Sequence, residues 1–120
     1  MRTLILGASF NPDRFSHKAL LKLVESGVEV FAIGLKKGSI SSVLIRNDLF
    51  PIKNIHTITI YLSKKLQKTY YDYVIFLKPK RVLFNPGAEN IEFSKILTEK
   101  GIYWENACTL VLLSTDQYQT

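Results

Sequence analysis

Short β-branched apolar runs alternate along this chain with longer stretches whose apolar residues recur at helical spacing. Thr3-Leu4-Ile5-Leu6 is a first strand, apolar enough to be buried on both faces. From Ser16 to Ser26, Ala19, Leu20, Leu23 and Val24 mark one face of a helix. Gly27 stands where a left-handed C-cap is expected. Val28 to Ile33 is a second strand, so residues 3–33 predict a right-handed parallel βαβ unit. Residues 34–38 form a polar turn. Residues 39–54 are the least regular part, with Val43-Leu44-Ile45 as a short third strand and Asp48, Pro51 and Asn54 breaking any longer pattern. Thr57 to Leu62 is a strong strand. Ser63 then caps a second helix running to about Leu77, with Leu66, Tyr70, Tyr73, Val74 and Leu77 as its core stripe and Pro79 as its stop. Arg81 to Phe84 is the next strand, closed by the turn Asn85-Pro86-Gly87. Asn90 caps a third helix with Phe93, Ile96 and Leu97 on its apolar face, ended by Gly101. Ile102 to Glu105 is a last edge strand. Ala107 to Leu113 reads as a short helix covering the sheet, although periodicity alone also allows a strand.

This alternation predicts an α/β fold: a Rossmann-like open, mostly parallel sheet with helices on both faces, in one domain spanning residues 1–120. In such sheets ligands bind beyond the carboxyl ends of the strands. Gly7-Ala8-Ser9, Gly34-Leu35-Lys36, Tyr61-Leu62-Ser63 and Asn85-Pro86-Gly87 all fall at those ends.

The first of these turns carries the chemistry. A strand, a small-residue turn and a helix start present free backbone N–H groups to an anion. Gly7 removes the Cβ that would hold a phosphate away, Ser9 adds a hydroxyl and Arg14 a guanidinium suited to phosphate oxygens. The turn departs from a dinucleotide fingerprint: Ser9 follows Gly7 at the second-glycine position, Pro12 stands in place of the third, and no Asp or Glu ends the second strand. Lys36 and Lys37 follow it instead, and would attract a phosphorylated ribose. The chain therefore points to an adenine nucleotide with an extra ribose phosphate, and coenzyme A and NADP both qualify. There is no G-K-[ST] step, which excludes a P-loop.

The chain resembles the small single-domain CoA-binding proteins, which are similar to the CoA-binding domain of the succinyl-CoA synthetase α subunit. The resemblance covers almost the whole chain. Leu6-Gly7-Ala8-Ser9, Asn11-Pro12-Asp13-Arg14 with Phe15-Ser16, the lysine after the second strand, Asn85-Pro86-Gly87 and Ala107-Cys108 carry it. It implies CoA across the sheet rim, with Gly7, Ala8 and Ser9 at the diphosphate and Arg14 and Ser16 adding phosphate contacts. Asn11 belongs to the same cofactor-binding set. Gly34 and Lys36 would lie beside the 3′-phosphate half, and Asn85 and Gly87 beside the pantetheine arm. Phe15 stands where some relatives have tyrosine or proline and is assigned to packing.

The remaining candidates bear on whether the domain has chemistry of its own. A synthetase of this kind passes a phosphoryl group through a histidine in a second domain, for which this chain has no room. His17 opens the first helix, where it reads as a solvated or capping group rather than a phosphate contact, and His56 reads as surface. No Ser-His-Asp spacing and no His/Cys metal cluster is present, so no catalytic or metal residue is assigned. Cys108 is the one cysteine, a buried apolar residue or a thiol near the end of bound CoA. Tyr70, Tyr71 and Tyr73 are assigned to packing, and Tyr103 with Trp104 to a possible homodimer patch. The net charge of +6 comes from separate lysine clusters without a nucleic-acid motif, so no nucleic-acid partner is expected. No apolar run approaches the roughly 20 residues of a membrane helix, no secretory signal is seen, and a cytoplasmic protein is expected. The expected function is a CoA or acyl-CoA binding module acting as carrier, sensor or regulator. The alternatives are an enzyme using NADP or acyl-CoA, and a Rossmann-like protein-interaction domain.

Overall fold

The computed structural model describes residues 1–119. In chain order the elements are β1 (Thr3–Ala8), α1 (Phe15–Glu25), β2 (Val30–Gly34), β3 (Gly38–Ile40), β4 (Val43–Arg46) and β5 (Thr57–Ile60). Then follow α2 (Lys64–Gln67), a 3₁₀ turn (Lys68–Tyr70), α3 (Tyr71–Leu77), β6 (Arg81–Phe84), α4 (Ile91–Glu99), β7 (Tyr103–Asn106) and α5 (Thr109–Ser114). The strands form one sheet in the order β3-β4-β2-β1-β5-β6-β7, parallel except for the β3–β4 pair. This is the Rossmann-like α/β architecture that the alternation predicts.

Strand alternation divides the apolar residues between two cores. Leu4, Leu6, Ile58, Ile60, Val82 and Phe84 point to the side covered by α3 and α4, where they meet Val74, Leu77, Phe93 and Leu97. Ile5, Ala32, Ile45 and Leu83 point to the side covered by α1 and the C-terminal segment, where they meet Leu20, Leu23 and Tyr118. Phe93 is stacked on Tyr71 with centroids 4.2 Å apart and meets Phe84 edge-on at 5.9 Å.

Local signals place the ends of two helices. After α1, Gly27 (φ +81°) donates to the Val24 carbonyl and Val28 to that of Leu23, the paired bonds of a Schellman cap. α4 ends in the same way at Gly101 and Ile102, and begins with Asn90 Oδ1 accepting from the Phe93 N–H at 2.9 Å.

Two segments differ from expectation. Residues 38–46 are an antiparallel hairpin, not a polar turn followed by a lone strand. Its turn residues Ser41 (φ 49°) and Ser42 (φ 68°) both lie in the left-handed region, the geometry that suits strand twist but usually selects Asn or Gly. The single helix expected over 63–77 is three pieces. The 3₁₀ turn, winding three residues per turn, shifts the faces out of line. Tyr73, Val74 and Leu77 stay in the core. Gln67 turns inward, donating to the carbonyls of Leu62 and Ala88, and Leu66 turns out of the core stripe.

At the far edge, Trp104 turns inward, with its ring 6.0 Å from Phe84 and its indole N–H on Thr98 Oγ1. Tyr103 alone is exposed, so the pair forms no joint outward patch and lends a homodimer no support. No helix among the described residues is long and apolar enough to cross a membrane.

Candidate functional site

The strand order reverses between β1 and β5: the chain leaves β1 toward β2 and returns to pair β5 on the other side of β1. Connections that diverge from neighbouring strands leave a crevice beyond their carboxyl ends. A cavity of about 580 Å³ opens there. Gly7, Ala8 and Ser9 after β1, Asn11 and Arg14 on the following loop, Ser16 in the first turn of α1, and Gly34 and Lys36 after β2 all line it. Eight of the residues named from sequence therefore converge on one cavity.

Two glycines make that convergence sterically possible. Gly7 has φ +96°, and a Cβ there would lie 3.1 Å from Leu62 Cδ2 and 3.2 Å from the Tyr61 carbonyl carbon. A Cβ on Gly34 would collide with the Ala8 carbonyl oxygen. The β1–β2 register slips between Leu6 and Ala8, which brings these backbones together.

The loop between β1 and α1 is held from within. The Asn11 N–H donates to Ser9 Oγ at 3.1 Å and the Asp13 N–H to Asn11 Oδ1 at 3.0 Å. Ser9 keeps its hydroxyl proton and Asn11 its amide protons for a ligand. His17 donates from Nδ1 to the Ser9 carbonyl at 2.8 Å, so it braces the loop and does not line the cavity. The N–H groups of Phe15 and Ser16 have no acceptor among the described residues, and α1 has neither a side-chain cap nor an acidic residue in its first turn. Phe10 anchors the loop from the other side: a Cβ on Gly38 would lie 2.7 Å from its ring.

Asn85 and Gly87 lie elsewhere. Asn85 is buried and its side chain is engaged: Nδ2 donates to Thr59 Oγ1 at 2.7 Å and the Ile60 carbonyl at 3.0 Å, and Oδ1 accepts from the Thr109 N–H at 2.9 Å. It ties β6 to β5 and to the start of α5. Gly87 (φ +92°) shapes the turn, with its N–H on Glu89 Oε1, and only Pro86 of that turn reaches the cavity. Cys108 is half-buried at the N-cap of α5 and does not line the cavity.

Several lining residues had another assignment or none. Phe15 is 65% exposed on the cavity rim rather than packed in the core. Leu66 and Tyr70, assigned from sequence to the core stripe, line the cavity beside Leu62 and Ser63 of the strand-end turn Tyr61-Leu62-Ser63. For Leu66 and Tyr70, their position after β5 is the signal that could have found them, once β5 is known to lie beside β1. Tyr61 also lines it, while its buried hydroxyl sits beside the Thr59–Thr109 hydroxyl pair without a hydrogen bond of good geometry.

Burial pushes the Tyr61 phenol up to about 12. Tyr73, whose hydroxyl donates to the Phe50 carbonyl at 2.6 Å, is likewise pushed up to about 12, chiefly by burial. The unfolded chain titrates near its ordinary value of about 10, so it releases protons first as pH rises. Stability is expected to be intact below about pH 10 and to fall progressively toward pH 12. Melting curves across that range, with tyrosinate absorbance followed in parallel, would show the phenols of Tyr61, Tyr73 and Tyr118, the last also pushed up by burial, ionising only with unfolding. Ionisation of all six tyrosines before unfolding would contradict the burial argument.

The electrostatics of the cavity are one-sided. Arg14 and Lys36 line it, and no Asp, Glu or His does. Cations, unpaired N–H groups and close-set backbone suit a phosphorylated ligand.

The comparisons agree with this geometry. The chain resembles an uncharacterised protein of known crystal structure at 41% identity, over 98% of this chain and 97% of that one, with a TM-score of 0.94. A protein of Thermus thermophilus shares the fold at 21% identity (98% and 90% covered, TM-score 0.86). So does a hypothetical protein of Pyrococcus horikoshii OT3 at 23% identity (94% and 81% covered, TM-score 0.85). No curated protein matches the chain. The family model described as a CoA binding domain matches residues 1–114, all of the sheet and its helices, and the chain belongs to that family.

Proposed function

We propose that this chain binds coenzyme A or an acyl-CoA at the β1–β5 crevice and acts as a carrier, sensor or regulatory module without a reaction of its own. The observation that carries the reading is a switch-point cavity lined by two cations and no carboxylate or imidazole. It offers several ways to hold phosphate and no carboxylate or imidazole for general acid or base work.

The diphosphate would sit on the Gly7–Ser9 turn and the free N–H groups of α1, with Arg14 across from them and Asn11 and Ser16 alongside. Lys36, after β2 and beside Gly34, would take the adenosine 3′-phosphate. The apolar wall of Leu62, Leu66, Tyr70 and Pro86 suits the pantetheine arm better than Asn85 and Gly87 do. Cys108 does not line the cavity and is left out of the proposed CoA contacts.

The same Lys36, with no acidic residue on Gly34-Leu35, also fits the 2′-phosphate of NADP, which keeps a nicotinamide-dependent enzyme as the second reading. Thermal melts with CoA, dephospho-CoA, NADP and NAD separate the two. Saturating CoA is expected to raise the melting temperature by several degrees and dephospho-CoA by clearly less. A rise with NADP and none with CoA would transfer the site to the oxidoreductase reading. A flat response to all four would leave the cavity without a nucleotide role.

A further inference from the structure

A second cavity, of about 600 Å³, lies at the opposite edge of the sheet, at the amino ends of β5, β6 and β7. Arg81, the first residue of β6, lines it while being only 8% exposed. Its Nε donates to Thr57 Oγ1 at 3.0 Å, and its guanidinium lies 4.6 Å from the centre of the Tyr118 ring. Nη2 is buried with no hydrogen-bond partner, and Arg81 makes no ion pair among the described residues. A charge held out of water without a counter-ion is costly, which makes this corner receptive to an anion.

The neighbours extend that character. Lys80 lines the same cavity. His56 also lines it, and its Nδ1 lies 2.8 Å from Thr57 Oγ1. Thr57 Oγ1 accepts from Arg81 and shares a second hydrogen bond with His56 Nδ1, in which either atom can donate. Burial, then the charges of Arg81 and Lys80, hold the His56 imidazole below its ordinary value, which keeps it neutral and reports the local positive potential. One acid is present, Glu105, which accepts from the Tyr103 hydroxyl at 3.2 Å. It penalises a second negative charge on a ligand, while Leu112 and the Tyr103 ring offer apolar surface.

We infer that this corner is a second ligand site, for a small organic monocarboxylate whose head pairs with Arg81 and Lys80 and whose apolar body lies on Tyr103 and Leu112. Arg81 is held by Thr57 Oγ1 and the Tyr118 ring, and a shift of its guanidinium would bring Nη2 to the carboxylate. The site lies on the far edge from the β1–β5 crevice and does not depend on what that crevice binds.

The test is a side-chain nuclear magnetic resonance titration of the full chain with sodium butyrate, alongside inorganic phosphate and sodium chloride at matched ionic strength. Butyrate is expected to move the Arg81 Nε–H and His56 imidazole signals saturably, and chloride to leave them near their starting positions. Lys80→Ala, on an exposed side chain, is expected to weaken butyrate about fivefold, and Arg81→Met to abolish the saturable response. Melting temperatures verify that both variants are folded, and Lys80→Ala suffices if Arg81→Met is not. A linear response equal to that of chloride, or one unchanged in Lys80→Ala, would overturn the site. Tighter binding of phosphate than of butyrate would overturn the monocarboxylate assignment.

Discussion

Asn85→Ala is expected to cost about 3 kcal/mol of stability and roughly 10–15 °C in melting temperature. The side chain makes three buried hydrogen bonds, and alanine replaces none of them. The Thr109 N–H at the head of α5 is left without a partner where water does not reach, and the Ile60 carbonyl at the end of β5 keeps only the backbone N–H of position 85. A buried polar group left unpaired costs about 1–3 kcal/mol, more than the net worth of an average hydrogen bond. Asn85→Asp is informative beside it: the acceptor for Thr109 survives, but a carboxylate then faces the Ile60 carbonyl. That variant should be less damaged in acid, where the carboxyl is protonated and regains one donor. Calorimetric melts of both variants, with CoA affinity measured on the folded protein, separate structure from binding. An Asn85→Ala protein that melts within about 2 °C of the parent and yet loses CoA would return Asn85 to the ligand site.

Arg14→Ala is expected to weaken CoA binding about thirtyfold, close to 2 kcal/mol, while leaving the fold nearly unchanged. Arg14 stands at the N-cap of α1 with extended backbone, and its exposed side chain makes no hydrogen bond or ion pair among the described residues. Its removal should change stability by no more than about 0.5 kcal/mol. In the complex the guanidinium would make charge-assisted bonds to the diphosphate, where the N–H groups of Phe15 and Ser16 also point. Lys36→Ala gives the complementary signature: CoA weakened, dephospho-CoA unaffected, because the lysine would read only the 3′-phosphate. Isothermal titration of both variants with both ligands yields a two-by-two comparison. Equal loss of both ligands in Arg14→Ala and selective loss of CoA in Lys36→Ala is the expected pattern. Unchanged affinity in Arg14→Ala would remove the α1 terminus from the site.

How these two residues differ shows what a sequence can disclose about a site. Arg14's place on the cavity was legible because it depends on local order: strand, small-residue turn, helix start. Asn85 has similar local credentials, standing at the end of β6 before Pro86-Gly87, but its side chain is claimed by Thr59 and Thr109. Those partners are 26 and 24 residues away and come together only when β5 pairs with β6 and α5 folds back. Phe15 illustrates the converse. As a large apolar residue it reads as packing, yet it is left on the cavity rim because the buried face of α1 is supplied by Ser16, Ala19, Leu20 and Leu23.

By itself the sequence determined the features whose physics is short-range. Apolar alternation and helical spacing identified β1, α1, β5, β6 and α4. Gly27 and Gly101 marked helix ends because few other residues tolerate the left-handed conformation, and Asn90 marked a start because its side chain accepts a backbone N–H three residues on. The glycine turn, Arg14 and Lys36 marked one rim as receptive to phosphate. Only the tertiary structure decided the strand order, and with it which turns share a crevice. It turned Leu66 from the core to the cavity through one 3₁₀ turn and left Tyr70 half-buried, packed against the core and lining the cavity at once. It folded residues 38–46 into a hairpin through two serines in an uncommon conformation, and it buried one nitrogen of the Arg81 guanidinium without a hydrogen bond at the opposite edge. Each of these depends on contacts between residues far apart in the chain, where local preference is silent and packing, register and burial settle the outcome.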